Sequence, residues 1–283
     1  MQYLGAHMSI AGNLCNAFEH IRAVHGTALQ IFTRNQRQWK IPPLSSQEVA
    51  DFLAAWEDWG EYPVVAHDSY LINLAGNKDE AVQKSIHAFT EELRRIEALS
   101  ISGLVTHPGS HLGDGPEKGL QRYVDRLDRC FAESETSRGM VLLETTAGQG
   151  TNLGARFEEL AWIIEHSQYP ERLGVCLDTC HVFAAGYELR TEEGYQQTRD
   201  QFERILGLDR LQCVHCNDSK GELGSRKDRH EHIGRGTIGS QGFANVVNDP
   251  ALAQIPFILE TPKSKDLHED VSNMQALWDL VRH

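Results

Sequence analysis

Apolar residues in this chain follow two alternating patterns. Short runs rich in Val, Ile, Leu and Phe read as buried strands. Eight such runs occur: QYLGAH (2–7), ALQIFT (28–33), YPVVAHD (62–68), GLVTH (103–107), MVLLE (140–144), RLGVCLD (172–178), LQCVH (211–215) and PFILE (256–260). Between them, apolar residues recur every three or four positions. The clearest stretch is 80–99, with Val82, Ile86, Phe89, Leu93, Ile96 and Leu99. Two more are 120–131, with Leu120, Tyr123, Val124, Leu127 and Phe131, and 157–164, with Phe157, Leu160, Ala161 and Ile164. A stripe of that period buries one helix face against a sheet. Strands alternating with helices predict parallel pairing through crossover helices. Eight such units predict closure into a single (β/α)8 TIM barrel spanning 1–283. A doubly wound open sheet is the alternative, but no GxGxxG follows the first strand.

The ends of the runs carry the chemistry. They are His7, Thr33, His67, His107, Glu144, Asp178, His215 and Glu260, so seven of the eight are His, Asp or Glu. Strand ends of a barrel converge on one mouth, and catalytic groups come from several of them. One histidine at a strand end is most often a hydrogen-bonded rim residue. A whole ring of imidazoles and carboxylates is costly to bury unless paired or bound to metal. Two loops extend the ring. DTCHVFAAGY places His181 three residues after Asp178, and the DRH of the 217–236 loop offers Asp228 and His230 at a spacing of two. In an extended loop both can face one side. His181, Asp228 and His230 could hold a further metal, with His67 and His107 near the others. An N/O donor set without cysteine suits Zn²⁺ or Mn²⁺.

Composition narrows the class. A net charge of -13 argues against broad, non-specific nucleic-acid binding, though it leaves room for a local basic patch. No Gly/Ser-rich or charge-block linker divides the 283 residues. No apolar run approaches the roughly 18 residues that span a bilayer. MQYLGAHMSIAGN lacks the basic and apolar stretches of a signal peptide, so the chain reads as cytoplasmic. The six cysteines then read as reduced and buried. Cys213 and Cys216 in CVHC have a zinc-like spacing, but in a strand positions three apart face opposite ways.

At these residues the sequence resembles endonuclease IV, the metal-dependent apurinic/apyrimidinic (AP) endonuclease family. The resembling segments are GAHMSIAG, FTRNQRQW, AHDSYLINL, HPGSH, LLETTAGQGTNLG, GVCLDTCHVFAAGYELRT, HCNDSKGELGSRKDRHEHIGRGTIG and LETP, in the family's order. The resemblance covers essentially the whole chain. It implies a trinuclear site: His67 and His107 on one ion, Glu144 bridging to a second held by Asp178, His215 and Glu260, and His181, Asp228 and His230 on a third. It suggests no ligand role for His7 or His111, which read as hydrogen-bonding supports.

The implied reaction is that of a deoxyribonuclease IV, hydrolysis of the phosphodiester 5′ to an abasic site in double-stranded DNA. The ends left are a 3′-hydroxyl and a 5′-deoxyribose phosphate. Glu144 and Glu260 are its candidate catalytic carboxylates, with Glu260 orienting or deprotonating the attacking water. The resemblance also assigns Arg37, Tyr70 and Leu71 to DNA, filling the gap left by a flipped nucleotide. The expected cofactors are three divalent ions, zinc with manganese as the alternative, and the family suggests a monomer. Three such ions would bring the formal charge from -13 to -7. Arg34, Arg37 and Lys40, with Lys220, Arg226, Lys227, Arg229 and Arg235, would then face DNA phosphates. Arg235 departs from the acidic residue of many relatives. The rival enzyme reading is a metal-dependent sugar isomerase or epimerase of the same barrel group. It lacks a use for a third-metal triad or for the NQRQW and SYLIN loops. A non-catalytic damage-binding protein would require lost ligands, and none is missing.

Overall fold

Eight parallel strands close on themselves in the computed structural model, which describes residues 2–282. They are β1 (Tyr3–Met8), β2 (Ala28–Phe32), β3 (Val64–His67), β4 (Gly103–Thr106), β5 (Met140–Glu144), β6 (Leu173–Asp178) and β7 (Leu211–His215). After a small hairpin of β8 (Asp218–Ser219) and β9 (His230–Glu231), β10 (Pro256–Leu259) completes the circle. β10 pairs with both β7 and β1, so the barrel has no free edge. Each of the eight lies within two residues of its predicted run, and β5 and β7 coincide with theirs. The hairpin was not foreseen; two-residue strands leave no periodic signal.

The predicted helices form as Asp79–Ala98, Pro116–Ser134 and Phe157–His166. In the first, Val82, Ile86, Phe89, Leu93 and Ile96 are buried, as the stripe requires. Helix Ser46–Trp59 starts in a capping box, where Ser45 and Glu48 satisfy each other's backbone N–H. No helix among the described residues is long and apolar enough to cross a membrane.

Alternation along the strands sorts side chains into two cores. The larger lies between sheet and helices. The smaller fills the barrel: Ala28, Val65, Val105, Leu142, Cys176, Cys213 and Ile258, with Tyr3 packed against it. Cys213 belongs to the inner core and Cys216 to the outer, so the CVHC pair points two ways. β1 and β2 approach so closely that a Cβ on Gly5 would lie 1.8 Å from the Ala28 carbonyl oxygen, which only glycine permits.

Two positions beyond each inner-core residue, the same face reaches the barrel mouth. Those positions are Gln30, His67, His107, Glu144, Asp178, His215 and Glu260; on β1, the series Tyr3 and Gly5 leads to His7. Each of the eight strands therefore delivers one polar side chain to a single layer. On β2 that residue is Gln30 and not Thr33. Thr33 lies outside the barrel, donating to Glu92 at 2.5 Å and accepting from Arg95 at 3.0 Å.

Candidate metal centre

Glu144 stands buried at the centre of the polar layer. Its Oε2 lies 3.1 Å from His67 Nε2 and 3.0 Å from His107 Nε2. Its Oε1 lies 3.1 Å from His215 Nδ1 and 3.2 Å from His181 Nδ1. One carboxylate thus faces two sets of imidazoles. On one side His67, His107 and Glu144 bring ligand atoms within 4.8 Å of one another; on the other, Glu144, Asp178, His215 and Glu260 do the same.

The loop-borne residues arrive by different means. Asp178 caps the helix Thr179–Ala185 by accepting the His181 N–H at 2.8 Å, which sets His181 in the first turn, facing the mouth. His181 Nε2 then lies 3.2 Å from Asp228, whose carboxylate is 3.5 Å from His230 Nε2. The loop between β8 and β9 docks on that helix through Arg226 N–H to the Ala184 carbonyl and Gly224 N–H to the Phe183 carbonyl. Asp218, fully buried, accepts from the backbone N–H of Ser219, Gly236 and Ile238 at 2.8–3.0 Å and holds the loop's two ends together. Cys180 also comes within 4.8 Å of Asp228 and His230, a soft donor that the sequence reading did not count.

Four of the five histidines have one ring nitrogen committed elsewhere. His67 Nδ1 donates to the Asp68 carbonyl at 2.8 Å, and His181 Nδ1 to that of Thr145 at 2.8 Å. His230 Nδ1 donates to the Glu260 carbonyl at 3.1 Å, and His215 Nε2 to Gln30 at 2.8 Å. Each leaves its other nitrogen facing carboxylates, the arrangement that orients metal-binding imidazoles. His230 Nε2 is buried and has no hydrogen-bond partner, yet it points at Asp178 and Asp228. Among supports absent from the sequence reading, Asn217 donates to Asp178 at 2.6 Å and accepts the Glu260 N–H at 2.8 Å.

The electrostatics favour positive charge at the centre. Burial opposes charge on every group, but bonds to Asp68 and Glu144 outweigh it and hold His67 well above its ordinary 6.5. Asp178, Asp228 and Glu144 do the same for His181, and Glu260 and Glu144 for His215. Against the same penalty, His107 and His215 hold Glu144 well below the carboxylate range. Glu260 is also depressed, by His215 and His7. Without metal, protons on the imidazoles balance the buried carboxylates. Divalent ions can take that role, and the orphaned His230 nitrogen and the N/O donor set fit them.

At the rim, Tyr70 is 64% and Leu71 36% exposed, so neither is absorbed by packing. Tyr70 leans edge-on against Phe32, and Ser69 donates to the Gln36 carbonyl at 2.7 Å, joining this turn to the loop of exposed Arg37. Arg34 departs from expectation. It is buried and pairs with Glu92 at 2.8 Å, so it braces the loop from within instead of facing solvent. His111 also differs: its Nδ1 accepts from Gly113 and Gly115 N–H at 3.2 and 3.1 Å, which shapes its own loop. His7 does support the centre, with Nδ1 3.2 Å from Glu260.

A closed parallel barrel with buried His/Asp/Glu clusters at the carboxyl ends of its strands defines a metal-binding TIM-barrel enzyme. Residues 18–278 match the family model of AP endonuclease 2, described as a xylose isomerase-like TIM barrel. The chain is 51% identical to a probable endonuclease 4 of Chloroflexus aggregans over 100% of its length and 99% of that relative. It is 50% identical to a probable endonuclease 4 of Trichlorobacter lovleyi, over 98% of this chain and 99% of the relative. The crystal structure of endonuclease IV from Thermus thermophilus superposes with a TM-score of 0.87 at 38% identity, covering 98% of each chain. The chain belongs to the endonuclease IV family, AP endonuclease family 2. A D-tagatose 3-epimerase-like protein superposes with a TM-score of 0.73 at 18% identity, a likeness of fold alone.

Proposed function

We propose that this protein acts as one domain, residues 1–283, that hydrolyses the DNA phosphodiester 5′ to an abasic site, leaving a 3′-hydroxyl and a 5′-deoxyribose phosphate. The observation that carries this reading is the packing of His67, His107, His181 and His215 around both oxygens of Glu144. His67 and His107 would hold one divalent ion, with Glu144 shared. Asp178, His215 and Glu260 would complete a second site, and His181, Asp228 and His230 a third. Zinc suits these donors, with manganese the alternative. When bound, such ions lower the pKa of water and draw charge from the scissile phosphate and its leaving oxygen.

The chain's own groups do the rest. The committed ring nitrogens keep the imidazoles in the ligating tautomer, so little reorganisation accompanies reaction. Glu260 Oε2 faces the cluster and is placed to orient the attacking water. Tyr70, Leu71 and Arg37 stand exposed where an unstacked duplex would meet the mouth, and would fill the gap beside the extruded abasic nucleotide. Exposed Lys40, Lys220, Arg226, Lys227 and Arg229 supply phosphate contacts despite the acidic whole.

The test is incubation of the metal-loaded protein with a labelled duplex bearing one tetrahydrofuran abasic analogue, with both product ends mapped. Cleavage 5′ to the lesion with a 3′-hydroxyl is expected. Intact duplex together with isomerisation of a ketose substrate would replace this reading by the epimerase one.

A further inference from the structure

Gln30 is the one uncharged amide among the eight side chains of the mouth layer, and it is completely buried. Its carboxamide touches three groups at the centre. Oε1 accepts from His215 Nε2 at 2.8 Å. Nε2 donates to Glu260 Oε1 at 2.6 Å and lies 2.9 Å from His7 Nδ1.

These contacts determine which way the amide points. His215 Nδ1 faces the carboxylates of Glu144 at 3.1 Å and Glu260 at 3.2 Å, which leaves Nε2 to donate elsewhere. An ionised Glu260 can only accept, so the NH₂ end must face it. Both requirements select the same orientation, and a flipped amide would break both bonds. One side chain therefore sets two neighbours at once. It fixes the ring of His215 with Nδ1 inward, and it occupies Oε1 of Glu260 so that Oε2 is left for the cluster.

We propose that Gln30 is the positioning residue of the Asp178, His215 and Glu260 site, holding His215 and Glu260 in the geometry that takes up a divalent cation. The inference rests on reading those three side chains as metal ligands. A hydrogen-bonding neighbour that orients ligands contributes about 10–100-fold in metal affinity.

The experiment compares the parent protein with Gln30→Leu and Gln30→Glu, each of similar size. Zinc affinity is read by competition with a chromophoric chelator, alongside kcat and KM on the abasic duplex and the melting temperature of the metal-free protein. Gln30→Leu removes both bonds, so one zinc should bind about 10–100-fold more weakly. Its kcat should fall while KM stays within about twofold, because the DNA-facing rim is untouched. Gln30→Glu keeps an acceptor for His215 but sets a second carboxylate against Glu260, and should weaken the same site at least as much. Unchanged zinc affinity and kcat in both variants would overturn the proposal, even if the metal-free melting temperature drops, since that is what a merely structural side chain would do. A parent protein that takes up no zinc would instead overturn the metal reading itself, and this inference with it.

Discussion

The strand-borne and loop-borne halves of the centre are built by different physics. His67, His107, Glu144, Asp178, His215 and Glu260 lie in or directly after barrel strands, and parallel register sets their spacing. The loop-borne half depends on one helix cap and on a loop pinned by Asp218. Exposure separates only the extremes: the side chain of Glu144 is 1% exposed and that of Asp228 is 43%, while strand-borne His107, at 32%, is more open than loop-borne His181, at 3%. Strand register brings the first set together once the barrel closes, and Gln30 and Asn217 then orient it. Loop geometry must be held by hydrogen bonds that can be removed singly. The ion at His181, Asp228 and His230 should therefore be the first to leave under a chelator.

The largest effects should come from the strand-borne half. Glu144→Gln or Glu260→Gln should lower kcat by on the order of 10³-fold or more, with the fold intact by circular dichroism. A near-normal rate in Glu260→Gln would remove its proposed role. Next comes the support of the loop. Asp218→Ala leaves four backbone N–H groups, those of Ser219, Gly236, Ile238 and Gly239, without their acceptor, costing roughly 1–3 kcal/mol for each that stays buried and unsatisfied. One ion should be lost per chain with a cooperative melt retained; loss of all ions would erase the distinction between the two halves.

The dependence on pH sharpens the contrast further. His67, His181 and His215 are raised above 6.5 in the metal-free protein, so their stabilising contribution is full below that value and is lost as pH rises through the raised ones. Glu144 is depressed below 4.5, so its contribution is present above that value and is lost as pH falls through the depressed one. The cluster therefore favours the metal-free fold most between these two values. Bound ions displace the protons, so the loaded protein should gain stability as pH rises towards 6.5, where the unfolded imidazoles still bind protons, and level off above it, where the metal-free one loses stability. Melting both forms on either side of 6.5 checks the two slopes. The smallest effect belongs to the rim: Lys227→Ala should reduce the slope of log affinity against log salt by about 0.9 without changing the cleavage position.

What could be read from the sequence follows a different division, between local pattern and long-range partners. The strands stand out because short apolar runs end in ionisable residues, and the DTCH and DRH spacings reveal the loop-borne donors. Gln30 escaped because the last residue of a run was read in place of its inward face; counting by twos from Ala28 reaches it. Arg34 was placed among the DNA-facing cations because its partner Glu92 lies far along the chain, on a helix that only folding brings beside it. Asp218 looks like an ordinary loop carboxylate, since its partners are backbone groups that carry no sequence signal. Local periodicity reports faces and elements; long-range polar partners have no such signature.

The central claim is three metal sites organised around Glu144, and counting ions on the purified protein tests it most directly. Native mass spectrometry after loading with zinc and removal of excess should give three ions per chain. Stepwise chelation should remove one ion well before the other two. A maximum of one or two ions in the fully loaded, folded protein would contradict the account.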